Sequence, residues 1–246
     1  MKKSLQALQD LINASERIVL LSGAGVSRAS GIPDFRSPDG LYQREAHLPV
    51  SPETVLSHDY FLSHPEVFYR YYRENLFYPE AKPNAIHRYF ARLEQAGRLA
   101  AVLTQNVDGL HRMAGSETVL ELHGSGTDFF CVDCGKAADA TDALLSDGVP
   151  HCPFCGGLIR PDIVLYGEPL DTALLTCALQ QIAACDLLLC AGTSLRVEPV
   201  ASLVTYRAPH TPLVILNAQS TPYDLQADLV IHDDLLTVID ALSIAN

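Results

Sequence analysis

Two pairs of cysteines carry the clearest chemistry in this chain. Cys131-x-x-Cys134 and Cys152-x-x-Cys155 stand either side of the Gly135–His151 stretch. A two-residue gap lets the backbone fold back and aim both thiolates at one centre, and two such knuckles make the four-sulfur pattern of a zinc ribbon. Gly135 and Gly156-Gly157 follow the knuckles and supply permissive backbone for those turns. Four protein ligands fill a tetrahedral shell and leave no position for substrate, so one Zn2+ held here is structural, not catalytic. The competing reading is a pair of redox dithiols. His151 adjoins a knuckle, but a fourth cysteine makes it unnecessary as a ligand.

A second set of residues is small, polar and glycine-rich. Gly23-Ala24-Gly25-Val26-Ser27-Arg28-Ala29-Ser30-Gly31 begins like a dinucleotide-binding turn, in which small residues let backbone N–H groups approach a pyrophosphate. It departs from that pattern at Arg28, where the third glycine would stand. No acidic residue is well placed about 20 positions on to hold a ribose. Nucleotide binding and a plain turn both remain open on this segment alone, and ordinary hydride transfer is disfavoured. Further along lie Thr104-Gln105-Asn106-Val107-Asp108-Gly109-Leu110-His111, Glu121-Leu122-His123-Gly124, Gly192-Thr193-Ser194-Leu195 and Asn217. Histidine titrates near neutrality, so His123 suits proton transfer, although an isolated histidine is as readily a hydrogen-bonded structural group.

These segments need elements to bring them together. Leu5, Leu8, Leu11 and Ile12 have helical spacing, and Ile18-Val19-Leu20-Leu21 is a short apolar run that feeds the glycine turn. Residues 32–82, with many prolines and aromatics, read as an irregular region with a few helices. Pro83-Asn84 opens an amphipathic helix with Ile86, Tyr89, Phe90 and Leu93 on one face, closed by Gly97. Ala101-Val102-Leu103, Val119-Leu120-Glu121-Leu122, Ile163-Val164-Leu165-Tyr166, Leu187-Leu188-Leu189, Leu213-Val214-Ile215-Leu216 and Leu229-Val230-Ile231 read as strands. Residues 171–184 and a segment from about Leu235 read as helices. Short apolar strands alternating with helices predict an α/β fold with a Rossmann-like parallel sheet covered by helices on both faces. Ligands of such sheets bind beyond the strand C-termini, which is where the polar and glycine-rich segments fall.

Composition narrows the function classes. The 246 residues are 48% hydrophobic, enough for a substantial core, and no apolar run approaches the roughly 20 residues of a membrane span. After Lys2-Lys3 no continuous apolar stretch follows, which argues against a signal peptide and for a cytoplasmic location. Seventeen basic residues against 29 acidic ones give a net charge of −12, contrary to non-specific nucleic-acid binding. The same balance fits basic partners, or simply solubility. Cys177, Cys185 and Cys190 sit in apolar sequence and read as buried thiols, so a reducing compartment is expected.

Taken together, Gly31-Ile32-Pro33-Asp34-Phe35-Arg36, the Thr104–His111 segment, His123-Gly124, the four cysteines, Gly192-Thr193-Ser194 and the later Asn217 closely resemble the sirtuins, in that order, from about Leu20 to Asp234. Sirtuins are NAD-dependent protein lysine deacylases. The resemblance implies NAD as co-substrate and a small zinc-ribbon and helical lobe (residues 36–82 and 125–161) inserted in a Rossmann-like domain (1–35, 83–124 and 162–246). It implies that Gly23, Ala24 and Gly25 cradle the pyrophosphate, that Phe35 sits near the nicotinamide, and that Arg36 contacts phosphate. Gln105 and Asn106 would bind the nicotinamide ribose, and Asp108 the nicotinamide carboxamide. Thr193, Ser194 and Asn217 would line the adenosine side, with Gly192, Asp34 and Val107 in the same cofactor set. His123 would be the general base and, with Asn106, form the catalytic pair. The acyl-lysine oxygen attacks ribose C1′ as the nicotinamide bond breaks, and a ribose hydroxyl must then lose a proton. His111 would be structural support, and Arg28 carries no fixed role. Val164, Tyr166, Gly167 and Glu168 resemble the docking strand for an acylated-lysine peptide, with Tyr166 in place of the usual phenylalanine; the peptide would add as an extra strand.

Relatives that prefer succinyl- or malonyl-lysine carry Y-x-x-R, whose arginine binds the acyl carboxylate. Here Tyr72 stands three places after Tyr69 and Arg73 one place later, about 100° around a helix. Acetyl-lysine, or a longer neutral acyl chain, is therefore expected over an acidic one, unless a local helix irregularity turns Arg73 inward. The rival readings are an ADP-ribosyltransferase using the same site and a non-catalytic NAD- or zinc-binding module.

Overall fold

The structure is a computed structural model and describes residues 2–35, 40–44 and 50–244. Helix α1 (Lys2–Ala14) is followed by β1 (Ile18–Ser22), a 3-10 helix (Ala24–Ser30), and four short helices: α2 (Leu41–Arg44), α3 (Pro52–Val55), α4 (His58–Ser63) and α5 (Pro65–Asn75). Next come α6 (Ala85–Gln95), β2 (Leu99–Thr104), α7 (Leu110–Met113), β3 (Val119–Glu121), β4 (Gly124–Cys131), α8 (Thr141–Leu145) and β5 (Ile159–Ile163). The chain ends with α9 (Thr172–Ala184), β6 (Leu187–Ala191), β7 (Leu213–Leu216), β8 (Leu229–Ile231) and α10 (Leu235–Asp240). Among the described residues no helix is long and apolar enough to cross a membrane.

Six strands form one parallel sheet in the order β3-β2-β1-β6-β7-β8. All five residues of β1 and of β6 are buried, as central strands covered on both faces must be. Side-chain alternation sends Ile18 and Leu20 to one face, where they pack with Leu8, Ile12, Ile86, Phe90 and Val238 of α1, α6 and α10. Val19 and Leu21 go to the other face, against Ala178 and Ile182 of α9 and Leu203 and Val204 of a 3-10 helix at Ala201–Tyr206. The strand order reverses between β1 and β6, because the chain crosses from one side of β1 to the other. The loops after these two strands therefore diverge and open a crevice at the sheet's C-terminal edge.

A smaller lobe stands over that edge. Strands β4 and β5 pair antiparallel in a separate two-stranded sheet. Phe61, Phe68, Tyr69 and Tyr72 of α4 and α5 share one core with Cys131, Leu144, Cys152 and Ile159, so the short helices and the cysteine module pack as one unit. Tyr69 donates its hydroxyl to Ile159 O, and Tyr72 donates to Gly126 O at 2.9 Å.

Two expectations need correction. Ile163–Tyr166 does not form a strand of the parallel sheet: β5 ends at Ile163 and pairs with β4, and Tyr166 makes only an isolated bridge to Ser57. An apolar run reads alike wherever its partner lies. Cys177 is exposed, unlike Cys185 and Cys190, because α9 turns Ala178 and Ile182, with Leu174 and Leu179 beside them, to the sheet and leaves Cys177 on the solvent side.

Candidate active site and metal centre

The glycine turn and the Gly192 loop are locked together at the strand-order reversal. Gly25 N–H donates to Gly192 O at 2.8 Å, Gly23 N–H to Ala191 O at 3.1 Å, and Gly192 N–H to Leu216 O at 2.9 Å. Side chains have no room here: a Cβ on Gly25 would lie 2.7 Å from Gly192 Cα, and one on Gly192 would lie 2.5 Å from Val26 N. Gly192 also has φ +61, the left-handed region. After Gly23 the chain winds as a 3-10 helix ending at Gly31 (φ +87), not as the long α-helix of the usual dinucleotide turn.

Beyond this lock lies a cleft of about 1240 Å³ between the sheet and the small lobe. Among its lining residues are Gly23, Ala24, Gly25, Asp34, Phe35, Gln105, Asn106, Val107, Asp108, His123, Val164, Tyr166, Gly167, Glu168, Gly192, Thr193, Ser194 and Asn217. The structure thus brings together every expected cofactor, catalytic and docking residue except Arg36, which lies outside the described residues. Leu76, Phe77 and Phe129 contribute an apolar wall from the small lobe.

His123 sits just beyond β3. Its Nδ1 lies 3.0 Å from Gln105 O, and a carbonyl can only accept, so Nδ1 carries the proton and the neutral ring keeps an unprotonated Nε2. Burial lowers the His123 pKa, partly opposed by the bond to Gln105. The neighbouring Gly124 has φ +79 and packs against Asp162 of β5, where a Cβ would meet the Asp162 carbonyl oxygen. The Gln105 side chain donates to Thr193 Oγ1 at 2.8 Å, joining the β2 and β6 loops.

Asn106 and Asp108 are held by a hub that the spacing of motifs did not single out. Ser27, fully buried, donates to Asp108 Oδ2 at 2.6 Å and accepts from Asn106 Nδ2 at 3.1 Å. Asn106 Nδ2 also donates to Gly23 O at 3.2 Å, which leaves its Oδ1 without a protein partner among the described residues. Leu110 N–H donates to Asp108 Oδ1 at 2.9 Å. Burial raises the Asp108 pKa, with Ser27 and Leu110 opposing it. Behind Ser27 stand two buried histidines, His87 and His111, whose rings meet edge to face at 4.8 Å. Desolvation lowers them to about 4 and about 3, so both are neutral near pH 7. His87 Nδ1 accepts from Asn84 N–H in the capping box of α6, and the signal for it was the Asn84-x-x-His87 spacing. His111 Nε2 lies 3.0 Å from Ser22 Oγ. Arg28 pairs with Asp34 at 3.0 Å.

The cysteine module meets the geometric demands of zinc. Cys131 and Cys155 sulfurs are 3.4 Å apart, Cys134 and Cys152 sulfurs 3.7 Å, and all four lie within 4.8 Å of one another. A Zn–S bond of about 2.3 Å in a tetrahedron gives S···S edges of about 3.8 Å. A disulfide would need sulfurs about 2.05 Å apart. Each knuckle closes in the same way: Gly135 N–H donates to Cys131 O and Gly156 N–H to Cys152 O, both at 2.9 Å, with φ +68 and +78 at the two glycines. The four thiols fit one structural zinc ion.

A Rossmann-type strand order, a cleft at its reversal point and a four-cysteine lobe beside it define a nucleotide-binding enzyme fold with a zinc-binding lobe. Residues 23–199 match the Sir2 family model, and the chain belongs to the Sir2 family. It is 46% identical to the NAD-dependent protein deacetylase of Clostridium perfringens, over 97% of this chain and 98% of that one. A solved Sir2 variant with a deacetylated p53 peptide and 3'-O-acetyl ADP ribose is 40% identical with a TM-score of 0.89, covering 97% of this chain and 96% of that one. A Sir2 complex with p53 peptide and NAD+ is also 40% identical, with a TM-score of 0.86 and coverage of 96% and 95%.

Proposed function

We propose that this protein is an NAD-dependent protein lysine deacetylase, converting acetyl-lysine, NAD and water to free lysine, nicotinamide and O-acetyl-ADP-ribose. The observation that carries the reading is His123: one nitrogen is fixed by Gln105 O, and the other is left as a base in the cleft that holds Asn106 and the glycine lock. NAD supplies an electrophilic ribose carbon and ribose hydroxyls. His123 Nε2 takes the proton from a ribose hydroxyl. Asn106 Oδ1 and Gln105 hold the nicotinamide ribose, and Asp108 accepts from the carboxamide. Gly23, Ala24 and Gly25 face the pyrophosphate, while Gly192, Thr193, Ser194 and Asn217 line the adenosine end. Phe35, Asp34, Val107 and Arg36 complete the cofactor set, and the Val164–Glu168 segment docks the peptide. Cys131, Cys134, Cys152 and Cys155 hold the zinc. The substrate enters between the sheet domain and the lobe built from residues 36–82 and 125–161.

The position of Arg73 favours a neutral acyl group. Its Nη1 donates to Gly148 O at 2.8 Å and its Nε lies 3.7 Å from Asp147, so the guanidinium serves the lobe's own loop. Tyr69 and Tyr72 hydroxyls are spent on backbone carbonyls, and burial keeps both phenols protonated. None of the three is among the residues that line the cleft. Reduced thiols and bacterial relatives support a cytoplasmic location.

A panel of acetyl-, propionyl- and succinyl-lysine peptides with NAD tests the reading, followed by mass spectrometry on wild type and His123→Ala. Acetyl-peptide turnover should exceed succinyl turnover at least tenfold, and His123→Ala should lower it by roughly 10²–10⁴, the usual contribution of a general base. ADP-ribose label on protein without peptide deacetylation would establish the transferase alternative instead.

A further inference from the structure

Glu168 lines the cleft, and both oxygens of its carboxylate are bonded within the protein. Arg160 of β5, 6% exposed, donates to Glu168 Oε1 at 2.5 Å and to Oε2 at 2.9 Å. The same Nη2 donates to Ile163 O at 2.6 Å, and Nε to Pro161 O at 3.3 Å. Glu168 Oε2 in turn accepts from Leu165 N–H at 2.8 Å, and Glu168 N–H donates to Leu165 O at 3.0 Å. One guanidinium thus holds both ends of the 163–168 segment, and one carboxylate closes the turn between them. The rings of Phe61 and Phe130 lie 5.8 and 5.5 Å from the guanidinium carbon and shield it from water.

Most other main-chain groups between Val164 and Glu168 are committed to the protein; among the described residues the Val164 and Glu168 carbonyls, like Gly167, have no hydrogen-bond partner. Val164 N–H donates to His123 O, Tyr166 N–H to Leu56 O, and Tyr166 O accepts from His58 N–H. Gly167, at φ +93 and lining the cleft, makes no hydrogen bond among the described residues. The staple therefore presents the Gly167 peptide groups to whatever pairs with this edge.

We propose that Arg160 is the positioning residue for peptide docking: its fork fixes the Ile163–Glu168 turn so that the Gly167 main chain meets the substrate strand. This rests on the docking role assigned to the segment above. The requirement is for arginine. A lysine ammonium is a point charge and cannot span two carboxylate oxygens and a carbonyl in one plane. Removing Arg160 leaves Glu168, a partly exposed group, able to reach water, whereas removing Glu168 would strand a buried cation. Arg160 is therefore the side of the pair to change.

The test compares wild type, Arg160→Lys and Arg160→Met. KM for acetyl-peptide, KM for NAD, kcat and amide hydrogen exchange at residues 164–168 are measured on each. Arg160→Met should raise the peptide KM roughly tenfold, the scale of one charge-assisted hydrogen bond, with NAD KM changed by less than about twofold. Arg160→Lys should fall between the two, and exchange at Leu165 should quicken in the same rank order. If Arg160→Met does not fold, Arg160→Lys carries the comparison. Peptide and NAD KM moving together, or a peptide KM unchanged while exchange quickens, would overturn the proposal. A wild type that deacetylates nothing would instead overturn the functional reading, and the exchange measurement would still decide whether Arg160 holds the turn.

Discussion

At the scale of residues, the chemistry depends on which atom of each side chain is free. Residue types and spacing pointed to His123, but the atom that orients it is the backbone oxygen of Gln105, 18 positions earlier. No pattern of side chains encodes a carbonyl's direction. The consequence is testable in pH. The proposed base, His123, can act only when neutral, and burial holds its pKa below the ordinary imidazole value of about 6.5. Lowering pH protonates Nε2, so kcat/KM should fall on the acid side with a midpoint below about 6.5 and stay level from there to mildly alkaline pH. Asp108, pushed upward by burial, titrates on the same side, so the profile is measured on Asp108→Asn as well. If the limb persists there, it belongs to His123; a wild-type midpoint at or above 7 would contradict the buried base. The Ser27 hub is invisible in the sequence for a related reason. A serine inside a glycine-rich turn looks like a small residue, and its three partners, Asn106, Asp108 and His87, are brought to it only by folding.

At the scale of elements, apolar runs located the parallel strands because these strands are buried on both faces and need no alternation. The 32–82 region was legible only as irregular with helices. Its prolines look like breakers, yet Pro52 and Pro65 open α3 and α5, where a missing N–H does no harm, with Ser51 and Ser57 as caps nearby. In the sequence the glycines read as room for a phosphate. In the fold, Gly25 and Gly192 also make room for each other, so the lock between the β1 and β6 loops is a matter of backbone contact. Gly192→Ala should push these loops apart and impose strain at φ +61, lowering NAD affinity at least tenfold. Gly97→Ala is the control: its φ is +73, but nothing lies within 4 Å of the added Cβ. That variant should lose only about 1 kcal/mol of stability, from the left-handed backbone, and bind NAD as before. Isothermal titration with NAD separates the two. Equal losses of affinity would mean that backbone strain alone, and not the interlock, sets the crevice.

At the scale of the whole molecule, strand order and the partition of cores are absent from periodicity, which names strands without naming neighbours. The resemblance carried by the motifs supplied that arrangement, and the sheet order and the separate β4–β5 pair bear out the α/β fold with its zinc lobe. The partition has an energetic consequence. The parallel sheet is packed by two cores of its own, one on each face, whereas the lobe's core includes two of the zinc-ligating cysteines. Zinc binding there is folding free energy for the lobe, because the four thiolates converge only in the native chain. Stripping the metal with a chelator should therefore loosen β4, β5 and α5 first and leave β1, β2 and β6 protected. Amide exchange should rise across residues 124–163 and 65–75 while remaining slow across 18–22 and 187–191. Deacetylation should be lost with the lobe, since β5 carries Arg160 and leads directly into the proposed docking segment, and Gly124 packs beside His123 against Asp162. NAD should still bind, weakened, to the sheet domain. Uniform exchange throughout the chain would show one cooperative unit, and full activity without metal would remove the structural role of the four cysteines.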